Sequence, residues 1–202
     1  MTRLLIATRN SHKTEEIAAI LGNSFQVVDL SSLPDAPEVE ETGATFQENS
    51  LLKAVAISEF SDSLVLADDS GLEVDALGGA PGVYSARYAG AGADDGANNR
   101  KLLAELTDVA SADRSACFRC AMVIARSGEI LAEFEGTVEG RILEAPHGSG
   151  GFGYDPLFVP VGYEQCFAEL GPGVKNAMSH RARAMKKVVR WLGQNGGLLA
   201  GG

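Results

Sequence analysis

Two adjacent acids, Asp68 and Asp69, follow the apolar run Leu64–Ala67 in the segment Ala67-Asp-Asp-Ser-Gly71. The run reads as a buried strand that ends at the acids, placing both at its carboxyl end, where α/β sheets usually hold ligands. Carboxylates in such a place coordinate Mg²⁺ through oxygen and can help activate water. Neighbours on an extended backbone diverge, so one acid can serve a metal or act as a base while the other makes structural bonds. The plainer alternative is a solvated turn, because Asp-Ser-Gly is ordinary turn chemistry. Glu38, Glu40 and Glu41 add an acidic patch ahead of Thr42-Gly43, which alone would read as a solvated loop.

Three further segments offer cations, donors and aromatic faces. Thr8-Arg9-Asn10-Ser11-His12-Lys13 lies where a strand passes into a helix, whose N-terminal N–H groups and partial positive charge suit phosphate. The glycines of a Walker loop are missing, so a helix cap beside a solvated lysine is the competing reading. Gly148-Ser-Gly-Gly-Phe-Gly-Tyr-Asp-Pro156 packs four glycines into its first six positions, letting backbone approach a flat ligand. Phe152 or Tyr154 could stack on a base and Asp155 could accept hydrogen bonds from it, or the aromatics could simply tuck into the core. In Lys175-Asn-Ala-Met-Ser-His-Arg181, Ser179 reads as an N-cap with His180 and Arg181 in the first turn. Positive charge is unfavourable there, which makes sense if something anionic or electron-rich binds, and otherwise marks a weak helix start.

The elements that must position these residues alternate. Leu4–Ala7 reads as a strand, followed by a helix from Asn10 to Leu21 with Ile17, Ile20 and Leu21 on one face. Thr45-Phe-Gln-Glu48 matches a capping box that opens a helix through Phe60. Leu72, Val74 and Ala76 alternate with Glu73 and Asp75 as a second, half-exposed strand would. Asp94 or Asp95 caps a helix carrying Leu102, Leu103 and Leu106; strands then follow over Ala116–Ala125, Ile130–Thr137 and Arg141–Glu144. Met185, Val188, Val189 and Leu192 recur at helical spacing, so a last helix runs from about Ser179 to Gly193. The order predicts an α/β fold with a mixed sheet.

Composition sets outer limits. The chain's 202 residues suit one domain, and 45% hydrophobic with 22% charged residues is ordinary globular composition. Seventeen basic against 27 acidic residues give a net charge of −10, which argues against duplex nucleic acid as the main partner. An anionic small molecule would then need a local cluster of positive charge or a metal. Cys117, Cys120 and Cys166 are too few for a disulfide framework. The first two, three apart on a strand, read as buried small hydrophobes rather than a metal pair. With no leader-like start and no apolar stretch of membrane-spanning length, a cytoplasmic location is expected. The glycine-rich end, 193–202, is expected to fray.

Taken in order, the motifs resemble a known family. They are Thr8-x-Asn-x-x-Lys13; Glu41-Thr-Gly43 with Thr45-Phe-x-Glu-Asn49 and Lys53-Ala54; and Ala67-Asp-Asp-Ser-Gly-Leu72. Leu77-Gly-Gly-Ala-Pro-Gly82 with Tyr84-Ser-Ala-Arg-Tyr88, Phe118-Arg-Cys-Ala121, Gly150-Gly-Phe-Gly-Tyr-Asp-Pro156 and Ser179-His-Arg181 follow. From about residue 3 to residue 192 the chain closely resembles the inosine/xanthosine triphosphate pyrophosphatases, which hydrolyse deaminated purine nucleoside triphosphates. Each motif is weak singly, and their shared order is what makes the match specific.

The resemblance implies a single two-lobed domain over 1–202, with an elongated mixed sheet flanked by helices and an active site in a cleft between the lobes. It implies Mg²⁺ as cofactor, a purine nucleoside triphosphate as substrate, and a homodimer. Thr8, Arg9, Asn10, Ser11, His12 and Lys13, with Lys53, would hold the triphosphate. Asp69 would be general base and metal ligand, with Asp68 beside it as a further metal residue and Ser70 touching substrate. Glu40 or Glu41 would be the second acidic ligand. Phe152, Gly153, Tyr154, Asp155, Lys175, His180 and Arg181 would form the base pocket. Arg9 stands where many members have glycine, and either adds a phosphate contact or points into solvent. A sister pyrophosphatase acting on other modified nucleotides and a non-catalytic nucleotide-binding regulator are the alternatives.

Overall fold

A computed structural model describes residues 2–196. It contains a six-stranded sheet in the order β2-β1-β3-β4-β5-β6 with helices between the strands, a mixed α/β architecture. The strands are β1 Thr2–Ile6, β2 Phe25–Asp29, β3 Leu64–Val74, β4 Ser115–Arg126, β5 Glu129–Ile142 and β6 Phe158–Pro160. The helices are α1 Ser11–Leu21, α2 Phe46–Phe60, α3 Asp95–Glu105, α4 Phe167–Met178 and α5 His180–Gln194. β1 runs parallel to both β2 and β3, whereas β5 and β6 are antiparallel. No helix among the described residues is long and apolar enough to cross a membrane.

The chain divides into two compact units. Among the described residues the first comprises 2–69, 120–136 and 181–196, and the second 70–119 and 137–180. In the first unit, successive strand residues go to different cores, as the two-residue period of a strand requires. Leu4, Ile6, Leu64, Leu66, Cys120, Met122 and Ile124 pack with Ile17 and Leu21 of α1 and with Met185, Val188 and Leu192 of α5. Leu5, Ala7, Val65, Ala67, Val123 and Ala125 pack instead with Ala54 and Ile57 of α2. Both sheet faces are therefore covered here, which is why these strands read as continuous apolar runs. The core of the second unit gathers Leu72, Val74, Leu102, Leu106, Phe118, Val138, Ile142, Phe158 and Phe167.

Helix starts follow the caps written in the sequence. Asn10 caps α1, accepting from the N–H groups of His12 and Lys13 at 3.0 and 3.4 Å. Thr45 and Glu48 form the expected capping box on α2, and Asp94 caps α3. Such a cap contributes about 1 kcal/mol.

Several expectations change. β3 does not end at the acids but continues through Asp68-Asp-Ser-Gly71 to Val74, so the carboxylates sit in mid-strand. The expected separate strand over Leu72–Ala76 is the end of β3, and Ala76 lies in a 3₁₀ turn, Asp75–Leu77. The two strands expected over Ile130–Thr137 and Arg141–Glu144 are one, β5. The short edge strands β2 and β6 and helix α4 carry no clear pattern in the sequence. α4 contains Gly171 and Pro172, both poor helix residues, and kinks where Gly171 takes φ +76°. α5 reaches Gln194, one residue past the expected stop, and Val189 lies off its buried stripe at 41% exposure. Of the stretch expected to fray, residues 197–202 lie outside those described.

Candidate active site

The parity of β3 decides what each acid meets. Asp68 follows Leu64 and Leu66, the residues packed toward α1 and α5, and its partners come from that side. Lys13 of α1 forms an ion pair with Asp68 Oδ1. Arg181 of α5 donates from Nε to Asp68 Oδ2 at 3.2 Å and from a terminal nitrogen to Oδ1 at 3.4 Å. Cys120 donates its S–H to Oδ2 at 3.0 Å, and Glu16 of α1 pairs with another Arg181 nitrogen at 2.5 Å. Both Asp68 and Arg181 are 1% exposed. Burial opposes the Asp68 charge, but Arg181 and Lys13 outweigh it and hold the carboxyl well below the usual carboxylate range. The neighbouring thiol of Cys120 is pushed well up, first by burial and then by the Asp68 charge.

Asp69 follows Val65 and Ala67, the residues packed toward α2, and meets α2. Lys53 Nζ lies 3.4 Å from Asp69 Oδ1, donates to the Asp68 carbonyl at 2.7 Å, and pairs with Glu41 Oε1 at 2.7 Å. Burial would lower the Lys53 ammonium, yet Asp69 and Glu41 outweigh burial and raise it. For Asp69 the balance runs the other way. Burial raises its carboxyl, Lys53 and Lys13 only partly counter that, and Glu41 and Asp68 reinforce it. The pair is thus one firmly ionised acid and one with raised proton affinity, the separation expected of acid–base sites.

Asn49 closes this group. It is fully buried on α2, donates from Nδ2 to Asp69 Oδ2 at 3.2 Å, and accepts the Gly43 N–H on Oδ1 at 2.7 Å. Because a backbone N–H can only donate, the amide orientation is determined and its donor end must face Asp69. A side chain on Gly43 would come within 2.6 Å of Glu48 Cβ and 2.8 Å of Asn49 Oδ1, so only glycine allows this approach. The Gly43 loop carries both glutamates, and they differ. Glu41 is half-buried against Lys53, while Glu40 is exposed with no side-chain partner among the described residues.

In the turn Thr8–Lys13, Asn10 donates its N–H to Thr8 Oγ1 at 3.1 Å and already occupies the N–H groups of His12 and Lys13. What the turn presents outward is therefore chiefly side chains, Ser11 and His12 being exposed. The Arg9 guanidinium donates to the carbonyls of Leu30 and Ala36 at 3.3 and 3.0 Å, a clasp on the following loop that neither sequence reading anticipated.

The second unit holds the aromatic segment. Asp155, 1% exposed, accepts on Oδ2 both the Phe152 N–H at 2.9 Å and Lys175 Nζ at 2.5 Å. The same ammonium lies 4.3 Å from the centre of the half-buried Phe152 ring, within cation–π range. Tyr154 is 4% exposed and donates its hydroxyl to the Ser85 carbonyl at 2.8 Å. The two readings of this loop thus divide: Tyr154 belongs to the core, and Phe152 does not. His180, 5% exposed, stacks on Phe118 with ring centres 4.8 Å apart. Ser70 is half-buried on β3.

Sequence reasoning left Asn49, Cys120 and Glu16 without roles. Asn49 stood inside a quoted motif, and Glu16 lies one turn from Lys13, a signal that was available. Nothing local marks Cys120 as a partner of Asp68.

An α/β sheet with a charged middle strand, lysines from two helices and no glycine-rich phosphate loop defines a class apart from Rossmann and P-loop proteins. The chain belongs to the Ham1 family, whose model matches residues 4–191. It is 50% identical over 195 residues to the dITP/XTP pyrophosphatase of Bacillus licheniformis, covering 96% of this chain and 100% of that one. It is 51% identical to the dITP/XTP pyrophosphatase of Geobacter sulfurreducens, covering 97% and 99%. The solved Ham1 protein of Staphylococcus aureus superposes with TM-score 0.84 at 39% identity, covering 96% of this chain and 99% of that one. That of Coxiella burnetii gives 0.85 at 37%, covering 96% and 100%.

Proposed function

We propose that the protein hydrolyses deaminated purine nucleoside triphosphates, of the ITP, dITP and XTP kind, to the monophosphate and pyrophosphate. The observation that carries this reading is the unequal pair on β3: Asp68 held ionised by Lys13 and Arg181, Asp69 with raised proton affinity beside Lys53 and Asn49. The name borne by relatives about half identical over their whole length supports the substrate class.

In this reading water attacks the α-phosphorus and Asp69 accepts its proton. The bond from that phosphorus to the bridging oxygen breaks, and pyrophosphate leaves with the electron pair. Lys13 and Lys53 offset the charge that grows on it. The exposed turn Thr8–Lys13 takes the triphosphate, and Ser70 touches it. Phe152 stacks on the purine, with Gly153, Tyr154, Asp155, Lys175, His180 and Arg181 completing its recognition. A donor such as Lys175 favours a 6-oxo acceptor over the adenine amino group, by about 1–3 kcal/mol for each bond adenine cannot make.

Mg²⁺ suits the donor set, since Asp69 with Glu40 or Glu41 offers hard carboxylate oxygens. Asp68 fits poorly as a ligand because Lys13, Arg181 and Cys120 already occupy both its oxygens. When bound, the ion would neutralise phosphate charge and make a water more acidic. The same reading takes the protein to work as a cytoplasmic homodimer.

The test is Mg²⁺-dependent pyrophosphate release from a panel of triphosphates. ITP and XTP should be turned over far faster than ATP or GTP. Orthophosphate as product, or a preference for pyrimidine nucleotides, would sink the proposal.

A further inference from the structure

Gly153 is gripped at both polar ends by one helix. Its N–H donates to Asp95 Oδ2 at 2.7 Å, and its carbonyl accepts from Asn99 Nδ2 at 3.0 Å. Asp95 and Asn99 stand one turn apart on α3, so their side chains share a face. We infer that Asp95 and Asn99 are positioning residues that lock the Gly153 backbone and thereby set Phe152 and Asp155 for the purine. The inference rests on the reading of this loop as the base-recognition segment.

Neither side chain is needed by α3 itself. The helix is capped by Asp94, whose Oδ1 accepts from Ala97 N–H, leaving the Asp95 carboxylate for the loop. Asn99 is a weak helix former in a helix interior, 8% exposed, and its Oδ1 has no hydrogen-bond partner among the described residues. A buried acceptor left unmade is a cost to folding, and an apolar residue there would avoid it. What Asn99 supplies in return is the bond to Gly153.

The loop has reason to need such a grip. Gly153 takes φ +63°, and a side chain there would meet nothing within 4 Å, so packing does not hold it. Glycine also has more backbone freedom to lose than any other residue. Its neighbours are anchored by other means: the Phe152 N–H by Asp155, the Tyr154 hydroxyl by the Ser85 carbonyl. The Asp95–Asn99 pair completes the series at the one residue its neighbours leave unheld.

Steady-state kinetics on XTP with Asp95→Ala, Asp95→Asn, Asn99→Leu and Phe152→Ala, each with a melting curve, test this. Asp95→Ala and Asn99→Leu should each raise KM roughly five- to tenfold, the loss of one backbone hydrogen bond, with kcat within about twofold. Asp95→Asn keeps an acceptor oxygen and should restore KM to within about twofold. Asn99→Leu should melt no earlier than the parent, which a merely structural asparagine would not allow. A fall in kcat at unchanged KM, or Asp95→Asn behaving like Asp95→Ala, overturns the inference. So does an Asn99→Leu variant that melts early with unchanged KM. Phe152→Ala separates the two levels. If it raises KM while the α3 variants do not, the positioning role fails and the base-loop reading stands. If it leaves KM unchanged, the base-loop reading itself fails and the inference falls with it.

Discussion

Asp68 and Asp69 are adjacent on β3 yet are gripped by cations from different helices. Asp68 is bound by Lys13 and Arg181, and Asp69 lies against Lys53 and Asn49. A strand turns successive side chains to opposite faces, and here α1 and α5 cover one face while α2 covers the other. The arrangement makes two neighbouring carboxylates chemically unlike.

Asp69→Asn keeps the size of the side chain and removes its ability to accept a proton. The variant should fold normally, bind triphosphate within a few-fold of the parent, and lose roughly 10²–10⁴ in kcat. Near-normal turnover in a pyrophosphate-release assay would remove Asp69 from the base role.

Asn49→Leu deletes the donor to Asp69 and the acceptor for Gly43 at once. The expected result is a kcat lower by roughly tenfold or more with KM changed little, because the acid loses its orientation rather than its charge. Stopped-flow measurement of a single turnover would show the loss in the chemical step.

The two glutamates should separate on metal titration. Glu41 is already neutralised by Lys53, whereas Glu40 is not, so a cation competes with an ammonium for the first and not the second. Glu40→Gln should raise the Mg²⁺ concentration giving half-maximal activity. Glu41→Gln should instead release Lys53 and raise KM for the triphosphate, and the reverse pattern would exchange the two assignments.

Arg181, which the family resemblance puts in the base pocket, is a poor place to test base recognition by truncation. Removing the buried guanidinium in Arg181→Ala leaves Asp68 with Lys13 and Cys120 and takes the Arg181 contact from Glu16, and breaking such a buried pair costs about 3–5 kcal/mol. The variant should melt far below the parent, so loss of activity on ITP would reflect folding. Lys175→Met and Phe152→Ala are the cleaner tests of base reading.

The Asp68 pairing also carries a pH signature. Its folded carboxyl is held well below the unfolded value of 3.8, so the pairing stabilises the protein fully above 3.8. That contribution is lost as pH falls from there through the depressed value. Asp68→Asn should be less stable than the parent at pH 7, with the gap narrowing as acid protonates Asp68 in the parent. Denaturant midpoints across that range check it.

Much of this was legible locally. The Asn10, Thr45 and Asp94 caps, the apolar runs of β1 and β4, and the α5 stripe all depend on residues within a turn or two of one another, so spacing alone reveals them. The site motifs were legible too, as segments rich in acids, lysines and glycines. The course of β3 was not. Asp-Asp-Ser-Gly is turn chemistry in isolation, and it stays extended because Lys13, Arg181 and Lys53, far away in the chain, neutralise and satisfy the buried acids. Helix α4 was hidden for the opposite reason, since Gly171 and Pro172 argue against a helix that packing of Phe167 and Ala168 retains.

By itself, then, the sequence determined which residue types are available and that two acids follow a buried apolar run. That the strand carries on through them, and so turns them to opposite faces, was decided by the tertiary structure. Tertiary structure decided which of the two becomes the ionised anchor and which the poised acid. It also made Arg181 a buried partner of Asp68 and Glu16, and recruited Asn49 to Asp69 and the α3 pair to Gly153. Divergence is a property of one strand's geometry, whereas proton affinity depends on burial and on charges brought in by other elements.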